Sequence, residues 1–243
     1  MSNCLQPLFF FPDKTQLEPD YDEIKRYLGY KKSSEIPENV QTMIQKCAAE
    51  LHRIITPKAC YKEFDLTVTK ENETAREAAG AQQSGSGQTT SKATDAADAA
   101  TEKSEIFNIR FADLSFNSKN LGINLKNCTK VILFGATIGP LVDQTIRKAQ
   151  NFGSAQAAVY QATGAMFAEK LTELLNQKIK TDYEKKGFKA HPRYSPGYGD
   201  ISLQMQREFF RLLPLEKIGL TLMDSLIMAP EKSVTAFIGL EKI

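Results

Sequence analysis

The chain has 243 residues, of which 42% are hydrophobic and 25% are charged, so it has the composition of an ordinary globular protein with one large or two small domains. Its formal net charge of +2 gives no electrostatic footprint for nucleic acid or for an anionic membrane, and we expect neither as a partner. No segment is long and apolar enough to predict a membrane span, and the early LFFFP run lacks the preceding basic residue of a signal peptide.

The cysteines and histidines argue against a metal centre. The four cysteines are widely scattered without a C-x-x-C pair, and the chain has only two histidines. Structural zinc and iron–sulfur sites take such residues in closely spaced sets, so we predict no metal. Reduced thiols are the simplest interpretation, which predicts a cytoplasmic protein with Cys47 and Cys128 as small core residues.

The first part of the chain, residues 1–68, is predicted to contain two helices and a strand. Asp20 can cap a short helix, and a longer one follows Pro37, where apolar residues recur at steps of four and three. Such spacing is typical of a helix with one buried face. A half-buried strand is then predicted from apolar residues that alternate with polar ones, at Phe64, Leu66 and Val68.

Residues 69–105 differ in composition from the segments on either side. They include no valine, isoleucine, leucine, methionine, proline or aromatic residue. Such a segment cannot bury enough apolar area to offset its chain entropy, so we predict a disordered low-complexity insertion. An alternating pattern resumes at Phe107, so the insertion should join two neighbouring strands as an enlarged loop. Residues 106–243 would complete the same domain.

The second part of the chain predicts a central strand, three helices and two further strands, and the third helix is a short amphipathic one that ends at Pro214. The apolar run at 130–136 indicates a strand buried on both faces, and Thr137 can cap the helix that follows it. A long helix should extend from about 154 to 185, and strands are predicted at 218–223 and 234–240. Because helices and strands do not alternate regularly, we predict an α+β fold with a mostly antiparallel sheet.

Residues 191–200, HPRYSPGYGD, form the clearest candidate binding loop. Its prolines and glycines exclude a helix or a central strand, and its glycines let a ligand approach the backbone. Arg193 offers a rigid set of donors for a carboxylate or a phosphate, while Tyr194 and Tyr198 offer flat faces with a polar tip. The alternative is a simple turn in which Asp200 caps the next helix.

Common catalytic motifs are missing from the sequence. It has no P-loop motif, no G-x-S-x-G and no G-x-G-x-x-G after a strand, and the loop at 191–200 has no evident general base. We therefore expect binding and positioning of a ligand more than acid–base chemistry. Glu169, near the middle of the long helix, is either a solvated carboxylate or a ligand contact.

Two C-terminal motifs stand out, RYSPGYGD at 193–200 and GLTLMDSLIMAPEKSVTAFIGL at 219–240. Together they resemble the activation (reactivation) domain of vitamin B12-dependent methionine synthase. The resemblance covers most of the chain outside the insertion. It extends to three further segments, CTKVILFGATIG at 128–139, FAEKLTELL at 167–175 and DEIKRYLGY at 22–30.

The resemblance implies a C-shaped single α+β domain, with a mostly antiparallel twisted sheet and flanking helices, that binds S-adenosylmethionine in a shallow groove. By matching position, Arg193 would hold the carboxylate of the ligand, Glu169 would pair with its positive end, and Tyr198 would lie near the sulfonium. The main chain between the arginine and that tyrosine would line the groove. The implied S-adenosylmethionine-binding residues are Arg193, Tyr194, Ser195, Pro196, Gly197, Tyr198 and Glu169. No catalytic residue and no metal ligand is implied.

For function, the resemblance implies a subunit that supplies the methyl group for reductive remethylation of cob(II)alamin. Because the sequence has no D-x-H-x-x-G motif, the cobalamin is expected on a separate methionine synthase subunit, with flavodoxin or another reductase as electron donor. The chain would then be the activation component of a methyltransferase. The alternative is a non-catalytic S-adenosylmethionine-binding or docking module for another corrinoid methyltransferase. A small-molecule methyltransferase is disfavoured, since both a base and a glycine-rich loop are missing.

Overall fold

The structure is a computed structural model that describes residues 6–31, 33–70 and 105–243. The helices are α1 (Tyr21–Tyr27), α2 (Glu38–Ile54), α3 (Asn120–Asn124), α4 (Pro140–Gln150), α5 (Ser154–Glu184) and α6 (Gln206–Leu212). The strands are β1 (Leu8–Phe10), β2 (Lys58–Lys70), β3 (Phe107–Phe111), β4 (Leu114–Ser118), β5 (Cys128–Thr137), β6 (Phe188–Ala190), β7 (Thr221–Leu222), β8 (Met228–Ala229) and β9 (Ser233–Lys242). Short 3-10 turns lie at Lys14–Gln16, Leu203–Met205 and Leu215–Ile218.

A seven-stranded sheet organises the described residues. Its strand order is β4–β3–β2–β5–β9–β6, and β1 pairs with β2 beside this path. Each of these pairings is antiparallel, as is that of the separate hairpin β7–β8. The prediction of an α+β fold with a mostly antiparallel sheet and flanking helices is confirmed. The C-shaped outline stays a prediction.

The central strand β5 is buried on both faces, as its apolar sequence predicts. Ile132 and Phe134 face a core formed with α2, α4 and α5, whereas Val131 and Leu133 face a second core that includes α6. Successive side chains of a strand point to opposite faces, so a strand between two cores must be apolar throughout. The sheet therefore separates a layer of long helices from a layer that holds α6 and the C-terminal turns.

The predicted insertion falls mainly on residues 71–104, which lie outside the described ranges. β2 and β3 pair across it with Lys70 opposite Phe107, which confirms that the flanking strands are neighbours. Lys70 and Glu105 also form an ion pair, at 2.7 Å. Because β2 pairs through Thr69 and Lys70, the strand continues two residues past the predicted boundary at residue 68. The division into 1–68, 69–105 and 106–243 stays a prediction.

Two local predictions need correction. The residue that caps α4 is Gly139, not Thr137, although the Thr137 hydroxyl accepts a hydrogen bond from the Gly139 N–H at 3.2 Å. The strand predicted at 218–223 is reduced to β7, because the preceding 3-10 turn includes Ile218 and ends at Gly219, which has a φ of 82°. A left-handed glycine ends a turn and redirects the chain before pairing begins.

The described cysteines are buried free thiols, at positions 47, 60 and 128. This confirms Cys47 and Cys128 as core residues. Burial raises the pKa of the Cys60 and Cys128 thiols to about 12, so both are protonated at neutral pH. Within the described ranges no helix combines the length and the apolar character needed to cross a bilayer. The cytoplasmic location stays a prediction.

Candidate functional site

The loop at 191–200 is attached to β9 by backbone hydrogen bonds. The His191 N–H donates to the Gly239 carbonyl at 2.8 Å, and Tyr194 and Phe237 exchange two hydrogen bonds, at 2.9 and 2.8 Å. The loop therefore continues the edge of the sheet after β6 ends. A sheet is a rigid support, so the side chains between these attachments are held in place without a helix or a strand of their own.

The second half of the loop closes into a tight turn. Gly197 has a φ of 89°, and its N–H donates to the Ile201 carbonyl at 2.9 Å. Gly199 has a φ of 55°, and a Cβ there would lie 2.3 Å from the Tyr194 hydroxyl. That hydroxyl donates to the Tyr198 carbonyl at 3.0 Å. The glycines thus serve a close backbone turn, in keeping with the predicted shaped loop.

Asp200 anchors the end of the loop to a distant segment and does not cap the next helix. It accepts hydrogen bonds from the Ser118 hydroxyl at 2.7 Å and from the N–H of Lys119 at 2.5 Å and of Asn120 at 3.3 Å. Burial works against ionisation, but these donors outweigh it and hold the pKa of Asp200 below its ordinary value. Ser202 caps the following turn instead. The simple-turn alternative was wrong about this cap.

A cavity of about 500 Å³ lies between the loop, α5 and the beginning of β9. This volume falls in the range of small-molecule sites. Its lining residues are Glu169, Arg193, Tyr194, Ser195, Pro196, Tyr198, Gln206, Met228, Ser233, Val234 and Thr235. The structure thus brings every predicted site residue except Gly197 to one cavity, and Gly197 shapes the loop beside it.

Arg193 and Glu169 form an ion pair in this cavity, with an Nη2 of the arginine donating to Oε1 of the glutamate. The two side chains are 27% and 31% exposed, so both remain open to solvent. The resemblance implied that these two residues bind opposite charges of a ligand, but it did not imply that they pair with each other. A pair of this kind presents a cation and an anion side by side, which suits a ligand that carries both charges.

Several tyrosines lie near this ion pair, and they differ in how far they are exposed to solvent. Tyr198 is 69% exposed at the mouth of the cavity. Burial, and then the negative charge of Asp200, raises the pKa of Tyr194. Burial and then the charge of Glu169 raise the pKa of Tyr27, which places α1 close to the site. Each of these tyrosines offers a ring face or a hydroxyl to a ligand.

Sequence reasoning missed the lining residues that come from α6, β8 and β9. Gln206 is only 7% exposed, and its Oε1 has no hydrogen-bond partner. Met228 is half-buried, and Ser233 and Val234 begin β9. The four from β8 and β9, which include Thr235, lie inside the motif at 219–240, so that motif was a signal for them. Nothing in the local pattern around Gln206 distinguishes it from an ordinary helix residue.

The chemistry available at the cavity is binding more than proton transfer. Among its described lining residues Glu169 is the carboxylate, and its charge is already paired with Arg193. In the described ranges no cluster of histidine, cysteine, aspartate and glutamate could hold a metal ion. The arrangement therefore offers a charged end, a polar amide and apolar surfaces, which can position a ligand.

Comparison with known proteins bears on the fold. No protein-family model matches the chain, and no curated protein matches it. Among solved structures, the chain is similar to the crystal structure of the MetH reactivation domain bound to AdoHcy, with a TM-score of 0.60 and 11% sequence identity. The similarity covers 98% of this chain and 79% of that one. It shows that this chain has the α+β fold of that reactivation domain.

Proposed function

We propose that this protein binds S-adenosylmethionine in the cavity beside Arg193 and presents its methyl group for the reductive remethylation of cob(II)alamin on a separate cobalamin-dependent methionine synthase. The observation that carries the proposal is the cavity itself, where the loop at 191–200 and α5 place Arg193 and Glu169 side by side. The fold it shares with a reactivation domain solved with AdoHcy supports the same ligand class.

The lining residues fit the charges of this ligand. S-adenosylmethionine carries a carboxylate, an ammonium group and a sulfonium. The guanidinium of Arg193 can hold the carboxylate through two parallel hydrogen bonds, and Glu169 can then pair with a positive group. On binding, each residue exchanges its present partner for a group of the ligand, so no charge is left unpaired. The cavity volume of about 500 Å³ accommodates a molecule of this size.

The tyrosine at the mouth of the cavity fits the reacting end. Tyr198 is largely exposed, and an aromatic ring face attracts a cationic sulfur. Exposure here lets a second molecule approach the methyl group from solvent. The chain itself then acts by holding and orienting the ligand, in agreement with a site that offers no free general base among its described lining residues.

The partner supplies what this chain does not. The methyl group leaves sulfur without its bonding electrons, so the acceptor must be a nucleophile. We propose cob(I)alamin, formed when flavodoxin or another reductase adds one electron to cob(II)alamin, and S-adenosylhomocysteine is then the second product. We propose a cobalamin-binding methionine synthase subunit as that partner. The alternative, a docking module for another corrinoid methyltransferase, shares the binding step and differs in the acceptor.

Calorimetric titration of S-adenosylmethionine into the wild type and into Arg193→Ala tests the binding step. We expect the substitution to weaken binding by roughly 30- to 1,000-fold, because removing one partner of a charged hydrogen bond costs about 2 to 4 kcal/mol. Arg53→Ala, at an exposed position of α2, is the matched control and should bind like the wild type. Equal affinity in both variants would place the ligand elsewhere.

Methyl transfer tests the acceptor. The protein is mixed with a methionine synthase that lacks its activation domain, a reductant and S-adenosylmethionine, and methylcobalamin is followed by its absorbance. We expect methylcobalamin to form with the wild type and to be lost with Arg193→Ala. Binding without methylcobalamin would contradict the reactivation function and favour the docking alternative.

A further inference from the structure

A buried amide oxygen on the lining of the cavity has no hydrogen-bond partner within the protein. Gln206 is the first residue of α6, and it is 7% exposed although it is polar. Its Oε1 is buried and makes no hydrogen bond. Buried polar side chains are almost always hydrogen-bonded, because removing them from water without a new partner is unfavourable. An unpartnered one that lines a cavity indicates a ligand that completes it.

Among the described residues, other buried oxygens lack partners, but Gln206 is the one that lines the 500 Å³ cavity. Those other oxygens belong to Asn124, Asp143 and Asn176. Asn176 lines a separate cavity of about 370 Å³ on the other side of Arg193. The position of Gln206 is therefore specific to the site described above and is not shared by the other unpartnered groups.

The cavity has two ends of different chemistry. Glu169 belongs to α5, which packs on one face of the sheet, whereas Gln206 begins α6, which packs on the other face through Phe209. The ion pair and the amide thus approach the cavity from opposite layers. The charged end suits an amino-acid group, and the neutral amide suits an uncharged polar group at the other end.

The surroundings of the amide favour a flat base. Pro196 is buried and Met228 is half-buried, and both line the same cavity as Gln206. Apolar surfaces of this kind pack against a planar ring, while a carboxamide can accept a hydrogen bond from an exocyclic amino group and donate one to a ring nitrogen. Glutamine forms this two-point contact with the amino group and N7 of adenine in nucleic acid.

We propose that Gln206 recognises the adenine base of the ligand, with its buried Oε1 accepting a hydrogen bond from the exocyclic amino group. This inference rests on the proposed binding of S-adenosylmethionine and adds to it the residue that selects the base. It makes Gln206 a specificity-determining residue at the nucleoside end, opposite Arg193 and Glu169 at the amino-acid end.

The test compares S-adenosylhomocysteine with S-inosylhomocysteine, in which an oxygen acceptor replaces the amino group. We expect the full wild-type chain to bind the adenine ligand about tenfold to 100-fold more tightly. With the inosyl ligand, the buried Oε1 of Gln206 would face an oxygen of the base, and two acceptors cannot form a hydrogen bond. In Gln206→Leu the preference should disappear, with the loss falling on the adenine ligand. Gln206→Glu keeps an acceptor at the same place and should retain part of the preference.

A matched control and a stability measurement separate recognition from a structural role. Gln204→Leu makes the same change at an exposed position two residues earlier and should leave affinity and preference unchanged. Without ligand, Gln206→Leu should have an equal or higher thermal midpoint than the wild type, because it removes an unpartnered buried polar group. A lower midpoint with an unchanged preference would mean that Gln206 is structural, and it would overturn the inference.

The remaining outcomes are distinguishable. If Gln206→Leu weakens both ligands equally, the amide does not recognise the base, and the inference fails while the proposed function stands. If Arg193→Ala binds like the wild type and the adenine preference persists in Gln206→Leu, both fail. Absence of binding of either ligand to the wild-type chain also overturns both.

Discussion

Two of the charged contacts between α5 and the rest of the molecule differ in how completely protein groups enclose the carboxylate. Glu63 on β2 is 9% exposed, pairs with Lys130 on β5 and accepts a hydrogen bond from the Tyr183 hydroxyl at 2.6 Å. Glu169 and Arg193 are each about three times as exposed and line a cavity. Both contacts join a carboxylate to a cation, and the two cations are equally exposed, but the carboxylate of Glu63 is enclosed by protein groups and that of Glu169 is open to solvent.

The difference separates a structural role from a binding role. In the cluster around Glu63 the carboxylate is nearly closed off from water, so removing it takes the main partner from both the Tyr183 hydroxyl and the ammonium group of Lys130. In the open pair water can replace either partner, so the pair adds little to folding and remains available to a ligand. Substitutions in the two contacts should therefore have opposite effects on folding and on binding.

Glu63→Ala should have the largest effect on folding. We expect a loss of about 3 kcal/mol in the free energy of unfolding, because the substitution leaves Lys130 and the Tyr183 hydroxyl without their main partner. Lys130 retains its ion pair with Asp65, at 3.3 Å, and this second partner limits the loss of stability. Urea unfolding at pH 7 measures it. Glu184→Ala, at the exposed end of α5, should change stability by less than about 0.5 kcal/mol.

Tyr183→Phe should lower the free energy of unfolding by about 1.5 kcal/mol at pH 7, which is the usual contribution of a hydrogen bond to a charged group. Burial and then the hydrogen bond to Glu63 raise the pKa of Tyr183 above its ordinary value. The protonated phenol therefore stabilises the fold fully below pH of about 10, where the unfolded tyrosine also stays protonated, and this contribution is lost as the pH rises further.

The difference between the wild type and Tyr183→Phe should accordingly narrow above pH 10. Urea unfolding of both proteins measures the difference in their free energies of unfolding at pH 7 and at pH 10.5. Tyr21→Phe, at an exposed position of α1, is the control and should show no difference at either pH. A gap that stays constant up to pH 10.5 would contradict the assignment of the stabilisation to the phenol proton.

Asp200→Asn should lower the free energy of unfolding by about 1 kcal/mol at pH 7. This is comparable to the loss of a helix cap, because the carboxylate accepts hydrogen bonds from the Lys119 and Asn120 N–H groups. The pKa of Asp200 lies below its ordinary value, so its stabilisation is present above pH of about 4 and is lost as the pH falls below that. Urea unfolding at pH 7 and pH 3 should show that the difference in free energy of unfolding between the wild type and Asp200→Asn becomes smaller at pH 3. Asp224→Asn is an exposed control.

Glu169→Gln should have the smallest effect on folding and a clear effect on binding. We expect less than about 0.5 kcal/mol in the free energy of unfolding, as for other solvent-open ion pairs. Under the proposed function, the affinity for S-adenosylmethionine should fall by about tenfold, because Glu169 no longer offers a charge to the ligand. Urea unfolding and calorimetry measure the two values. Strong destabilisation with unchanged affinity would make the pair structural.

The regular elements of the fold were largely predictable from local pattern. Apolar spacing located α2, α5 and β5, and alternation located β3, because burial of one face or both faces imposes a period that the sequence must carry. Two local predictions failed, the start of the strand at residue 218 and the cap of α4 at Thr137. At both places the backbone conformation of a glycine, Gly219 or Gly139, determines where the element begins. There a single glycine conformation outweighs the propensity of its neighbours.

The site was predictable only in part. The unusual composition of residues 191–200 identified the loop, and the resemblance added Glu169 from α5, which lies 24 positions from its partner Arg193. No spacing rule connects these two, because their contact depends on how α5 crosses the sheet beside the loop. Gln206 escaped notice for the same reason, since its burial is a property of the packed layers and not of its neighbours in sequence.

Local sequence pattern was enough to predict the α+β class, the central buried strand and a shaped, charged loop, because hydrophobic period and the backbone limits of proline and glycine act locally. The tertiary structure alone decided that Arg193 pairs with Glu169, that Asp200 anchors a segment some 80 residues earlier, and that an unpartnered amide lines the cavity. These are contacts between distant segments. They arise when the layers pack around the sheet, where position in the chain no longer limits which groups meet.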